Sequence, residues 1–272
     1  MTTITATRQL RAVHVRPRAA AALILATIGG LAAFGWPLLV DSGAPLDSTS
    51  APLVFALLLP VMLAVVLAEV AEGGIDTKAL AMLGVLSAIG AALRPLGAGT
   101  AGIEPVFFLL VLSGRVLGPG FGFVLGATTL FSSALLTGGV GPWLPFQMLA
   151  AAWLGLGAGL LPRARGRAEI ALLAAYAVFA SLLYGALLNL SFWPFVLGDQ
   201  TAMSFDAARG ALDNLHAFAL FSLATSLGFD IGRALTTAVL VIVTGPAVLN
   251  ALRRAARRAA FEAPVEFSTP QP

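Results

Sequence analysis

Long apolar runs, broken by short clusters of Gly, Pro and charge, divide this chain into segments of membrane-crossing length. A hydrocarbon core about 30 Å thick needs roughly 20 apolar residues per helix. Ala19–Val40 and Ser48–Ala68 meet that length without a charged residue. Asp41 to Thr49 form a short acidic loop between them, and Glu69, Glu72, Asp76 and Lys78 follow at the next membrane face. Ala79–Leu93 is a shorter helix carrying Ala81, Gly84, Ala88 and Ala91/Ala92 along one side. Small residues at that spacing let helix backbones approach closely in lipid. From Val116 to Pro162 there is no Asp, Glu, Lys, Arg or His. The run is too long for one crossing, and Pro119-Gly120 and Gly138–Pro145 mark turns in it, so helices are predicted at 104–114, 119–137 and 145–161.

The basic loop Pro162–Arg167 comes next, then the uncharged stretch Ile170–Gly198, with one span ending near Asn189 to Pro194. Residues 195–215 are polar by this chain's standards. Ala217–Phe229 is apolar but has only 13 residues, which predicts a segment lying along or dipping into the outer leaflet. Ala234–Leu252 is the last span, closed by Arg253, Arg254, Arg257 and Arg258, and Ala259 to Pro272 reads as a disordered tail. The pattern predicts an all-α polytopic membrane protein of about eight helices, with both ends on one side.

Composition agrees with that pattern. The 272 residues are 58% hydrophobic and 11% charged, where a soluble domain carries roughly a quarter charged residues. The N-terminal apolar stretch of 22 residues exceeds the roughly 7–15 of a secretory h-region, so a retained transmembrane helix is expected. Thirteen Lys/Arg fall on one set of faces and three (Arg94, Arg209, Arg233) on the other. Positive charge marks the cytoplasmic side. Both termini are therefore predicted to be cytoplasmic. Arg94, Glu104, the Trp143 turn, the Asn189–Trp193 corner and Asn214–Arg233 then collect outside. No basic face with interleaved aromatics suggests nucleic acid, and the absence of cysteine excludes disulfides and thiolate chemistry.

No long span has a charged residue near its centre, whereas ion-coupled carriers keep such groups there for function. The single lysine lies in no phosphate-binding loop, no acidic pair for Mg²⁺ falls inside a span, and the only histidines are His14 and His216. No catalytic residue, metal site or catalytic cofactor is predicted. Energy for any transport has to come from a partner.

Three stretches resemble the substrate-capturing (S) subunits of energy-coupling factor (ECF) transporters, and more narrowly their actinobacterial cobalamin-type members. They are the small-residue helix Ala79–Ala92, the turn Gly114-Arg115-Val116-Leu117-Gly118-Pro119-Gly120-Phe121-Gly122, and Gly138–Met148 leading into the Gly155/Gly157/Gly159 helix. The resemblance covers roughly 78–258. It implies a six-helix core that binds a vitamin at the outer face, with a transmembrane coupling (T) subunit and two ATPase subunits as partners and ATP used only by those partners. Residues 1–77 add a tail and a transmembrane hairpin to that core, and 259–272 a cytoplasmic tail. The resemblance also implies that Ala81, Gly84 and Ala88 meet the coupling subunit; packing within the chain explains the same face equally well.

The outer rim supplies the candidate binding residues, since ligand pockets are mostly apolar with a few placed polar groups. Arg94 and Glu104 either orient a polar ligand or form an interfacial ion pair. Trp143, Phe146 and Gln147 are placed to stack on and hydrogen-bond a heterocycle, with a headgroup aromatic belt as the alternative for Trp143. Asn189 and Trp193 divide similarly between ligand contact and belt or helix end. Asp230 and Arg233 form an i,i+3 pair suited to a helix start or to a ligand. His216 is an interfacial histidine, or a cobalt ligand if the cargo is a corrinoid. The reading is a vitamin-capturing importer subunit in the cell membrane, cobalamin or a related corrinoid first. A secondary carrier of a small organic solute and an outer-leaflet enzyme using Glu104, Asp230 and His216 are the alternatives.

Overall fold

The structure, a computed structural model, describes residues 16–39, 60, 61, 63, 64, 67, 68, 77–97, 100–197 and 201–259. Most of the expected span Ser48–Ala68, the acidic loops on either side of it, His14 and the C-terminal tail lie outside the described residues. The helices are α1 (Pro17–Phe34), α2 (Thr77–Leu93), α3 (Val106–Leu117), α4 (Pro119–Thr137), α5 (Leu144–Leu160), α6 (Gly166–Phe192), α7 (Ala211–Phe221) and α8 (Leu227–Ala259), with a single turn at Trp36–Leu39. No strand occurs among the described residues. Six helical segments are long and apolar enough to cross a membrane, and α5 adds a seventh apolar helix of 17 residues. The protein is all-α and polytopic.

Helix order follows the punctuation. Proline opens α1 and α4 within the first turn, where its fixed φ and missing N–H cost nothing. Gly118 at φ 95° makes the α3–α4 corner, a conformation that other residues rarely adopt. The expected helix 104–114 is displaced to Val106–Leu117. Pro105 occupies the cap position ahead of it, leaving Glu104 in the preceding loop.

Packing inside lipid rests on close backbone approach, and α4 against α5 shows how. A Cβ on Gly122 would overlap the Gly155 carbonyl, and a Cβ on Gly155 would overlap the Gly122 carbonyl. Around this seam lies a single apolar core drawn from α1 through α6 and α8, including Phe107, Leu110, Phe121, Leu125, Leu149 and Leu173. Helix α1 joins it through Gly30, which faces Leu149 and Trp153, and through Phe34, whose ring meets Phe146 at 5.2 Å and Trp153 at 5.6 Å. Trp36 is buried just beyond, its Nε1 donating to the Ser191 carbonyl at 2.9 Å.

The segment Ala217–Phe229 is a correction. It is not a piece separate from the last span. Five residues in π geometry, Ser222–Ser226, join α7 to α8, so Ala211–Ala259 is one helical stretch of 49 residues. Ala217 and Phe221 bury against Trp193, packing that a hydropathy count does not reveal. Asp230 and Arg233 consequently sit inside the long helix and not at its outer start.

At one end of the bundle Lys78 Nζ donates to the Ala259 carbonyl at 2.9 Å, and Arg115 meets Glu169. The Arg163–Arg167 loop and Arg253–Arg258 gather there too, making it the cytoplasmic end by charge bias. Arg94, Arg209 and Arg233 belong to the opposite half.

Candidate substrate-binding site

Loop Thr100–Gly102 determines which charges meet at the outer end. Ala101 (φ 49°) and Gly102 (φ 77°) are left-handed, and Gly102 presses on the backbone of Phe229 and Arg233 so closely that no Cβ would fit. Gly232 meets the Ala101 carbonyl in the same way. Backbone against backbone brings Glu104 onto α8, where its carboxylate accepts from Arg233 Nε. Arg233 Nη1 donates to Asp230 Oδ1 at 2.7 Å and to the Ser181 carbonyl at 3.4 Å. The guanidinium is also 5.2–5.8 Å from the ring centroids of Phe107, Tyr184 and Phe229. Two carboxylates and an aromatic box thus enclose one cation that is 5% exposed. The i,i+3 pair Asp230–Arg233 was expected; its third member was not.

Arg94 does not pair with Glu104. It is drawn instead to the start of α5, where Nη2 donates to Gln147 Oε1 at 2.9 Å. That bond answers the amide's need for a partner on an apolar helix. Both side chains are part-buried, and Arg94 belongs to a 3₁₀ turn, Arg94–Leu96, continuing α2.

The aromatic candidates separate by exposure. Trp143 is 44% exposed at the α5 cap, while Phe146 is 4% exposed and meets Phe34 at 5.2 Å and Phe192 at 5.4 Å. In this conformation the Phe146 faces are taken by protein rings. Trp193 is fully buried among Ala217, Phe221 and Phe205, and its Nε1 donates to the Met203 carbonyl at 2.6 Å, so it anchors the chain at Met203. Asn189 has a buried Nδ2 with no acceptor. His216 points away from this packing on an exposed face of α7. Among the described residues no three His, Asp or Glu converge to hold a metal ion. A cavity of about 60 Å³ lies between α5 and α6, lined by Trp153, Tyr176, Tyr184 and Leu187 among others; it has room for about two waters at ~30 Å³ each.

Sequence reasoning missed the ion cluster at the other end. Arg115 Nε donates to Glu169 Oε1 at 2.8 Å, its Nη1 to the Leu161 and Pro162 carbonyls at 3.0 Å each, and its Nη2 to the Ala164 carbonyl at 3.4 Å. Arg253 Nη2 reaches both Glu169 oxygens at 2.7 and 2.8 Å. The available signal was that Glu169 is the sole acid between Val116 and Gly198. A solitary acid beside a charge-free span calls for a cation.

The fold is that of a multi-pass membrane protein with charged side chains gathered at its two ends. The family of ECF transporter substrate-specific components matches residues 78–252, and the chain belongs to that family. No curated protein and no solved structure matches the chain. The protein is therefore a substrate-specific subunit of an ECF transporter, a family that works with a coupling subunit and ATPase subunits.

Proposed function

We propose that this subunit captures a vitamin at its outer rim and hands it to an ATP-driven complex, with a corrinoid such as cobalamin as the first ligand to test. The observation that carries the site is the Arg94–Gln147 pair, at 2.9 Å and part-buried. It presents a planar donor fork and an amide beside Trp143, the combination that recognises a polar heterocycle edge. Glu104, Asp230 and Arg233 supply further charge at this end, while Phe146 and Trp193, already packed by protein rings, and Asn189 support the rim from beneath. The corrinoid assignment draws on the resemblance of Gly114–Gly122 and Gly138–Met148 to cobalamin-type members and on the exposed imidazole of His216.

The test is titration calorimetry of detergent-purified protein against a panel of water-soluble vitamins, cobalamin included. One vitamin binding tightly, and about tenfold more weakly in Arg94→Ala and Gln147→Ala as one charge-assisted hydrogen bond is lost, is the expected result. Unchanged affinity in both variants removes the pair from the site. Accumulation of solute by the protein alone in vesicles, driven only by a proton or sodium gradient, rejects the importer-subunit reading.

The small-residue flank of α2 is proposed as the coupling-subunit contact. Leu83, Leu86, Ser87 and Gly90 face the bundle, and Ser87 Oγ shares a 2.8 Å hydrogen bond with Thr128. Ala81, Gly84 and Ala88 face away, and a Cβ on Gly84 would meet nothing within 4 Å. Such a bare strip suits a second helix at close range.

A further inference from the structure

A cavity of about 700 Å³ opens between the cytoplasmic halves of α6 and α8. Its size is in the range of ligand pockets, ~300–1,000 Å³. Ile170 and Ala174 form one wall and Ile242 and Leu249 the other, while Arg167, Asn250 and Arg253 stand at the cytoplasmic end. Pro246 lines it as well. Lacking an N–H, it cannot close the helical bond to the Ile242 carbonyl, which loosens α8 beside the cavity. Eleven residues separate Ile242 from Arg253, about 16 Å along a helix. That distance is half the ~30 Å hydrocarbon core. The cavity thus runs from headgroup depth to the bilayer midplane, greasy along its length and cationic at one end.

The charge at that end is not cancelled. Glu169 is the acid lining the cavity, and its oxygens already accept from Arg115 and Arg253. Arg167 is exposed and adds a cation that pairs with no acid among the described residues. An occupant has to be long, apolar and anionic at its inner end. We propose that this groove holds an acyl chain of an anionic phospholipid from the cytoplasmic leaflet, its phosphate taken by Arg167 and Asn250 beside Arg253. Basic pockets between transmembrane helices on the cytoplasmic side select such headgroups.

Full-length protein in detergent, titrated with phosphatidylglycerol or phosphatidylcholine of matched chains and read by native mass spectrometry, tests this. Phosphatidylglycerol is expected to be retained about fivefold better, the worth of one surface arginine toward anionic lipid. Arg167→Gln, an exposed change outside the ion cluster, should abolish the preference without altering thermal stability. Ala174→Trp should reduce retention of both lipids by filling the groove. Equal retention of the two lipids, or wild-type retention in both variants, overturns the proposal. So do variants that keep the lipid preference yet lose assembly with coupling and ATPase subunits, because the groove then seats a protein.

Discussion

Removing the Glu169 carboxylate separates a buried ion pair from an exposed one within a single cluster. Arg115 and Glu169 side chains are each 4% exposed, whereas the Arg253 side chain is 39% exposed. In Glu169→Ala, Arg115 keeps three backbone carbonyls as acceptors but loses its only buried counter-charge among the described residues. Stranding one member of a buried pair costs about 3–5 kcal/mol, and the surviving carbonyl bonds place the expectation near the lower figure. Arg253→Ala leaves Glu169 with Arg115 and frees a side chain already near water, so about 1 kcal/mol or less is expected. At roughly 2–4 °C per kcal/mol for a chain of this size, the melting point should fall by about 6–12 °C in the first variant and by about 4 °C or less in the second. Scanning fluorimetry in detergent, using the four tryptophans, resolves that difference. Arg115→Met with Glu169→Met should recover part of the loss, since an apolar pair replaces a buried ionic one at little cost while the Leu161, Pro162 and Ala164 carbonyls lose their donor. A Glu169→Ala shift no larger than that of Arg253→Ala would refute the argument.

Other outcomes follow from the packing. Gly155→Leu forces α4 and α5 apart at their closest point and should cost at least the ~1–3 kcal/mol of overpacking, read as lower thermal stability. Gly84→Leu should leave stability unchanged while abolishing co-purification with the coupling subunit; intact assembly would place that contact elsewhere. Trp193→Phe keeps an aromatic ring but removes volume at a fully buried site and deletes the bond to the Met203 carbonyl, an expected loss of at least about 1 kcal/mol, with faster proteolysis near Met203.

The sequence made the spans legible because bilayer thickness imposes a length that hydropathy reports directly. Val116–Pro162 divided at its Gly and Pro clusters, and α4 and α5 begin and end within a few residues of those breaks. The segment Ala217–Phe229 misled because its length was judged alone, whereas burial of Ala217 and Phe221 against Trp193 joins it to the last span. Side-chain partners were harder still. Arg94 and Gln147 are 53 positions apart and Glu104 and Arg233 are 129 apart, and helix rotation and loop path decide such meetings. The left-handed pair Ala101-Gly102 steers Glu104 away from its sequence neighbour Arg94, and no periodicity announces that turn. Arg115, which the sequence places in the Gly114–Gly122 turn and among the thirteen positive residues of one face, has four acceptors in the structure.

Arg233 and Arg253 are fastened at opposite ends of the same helix, twenty residues apart, or about 30 Å of rise. Ties to α6 at both depths, Arg233 to Ser181 and Arg253 to Glu169, resist sliding of this helix when membrane thickness changes. Mismatch has to be absorbed by leaning the bundle as one body, which makes its inclination in the membrane responsive to lipid thickness.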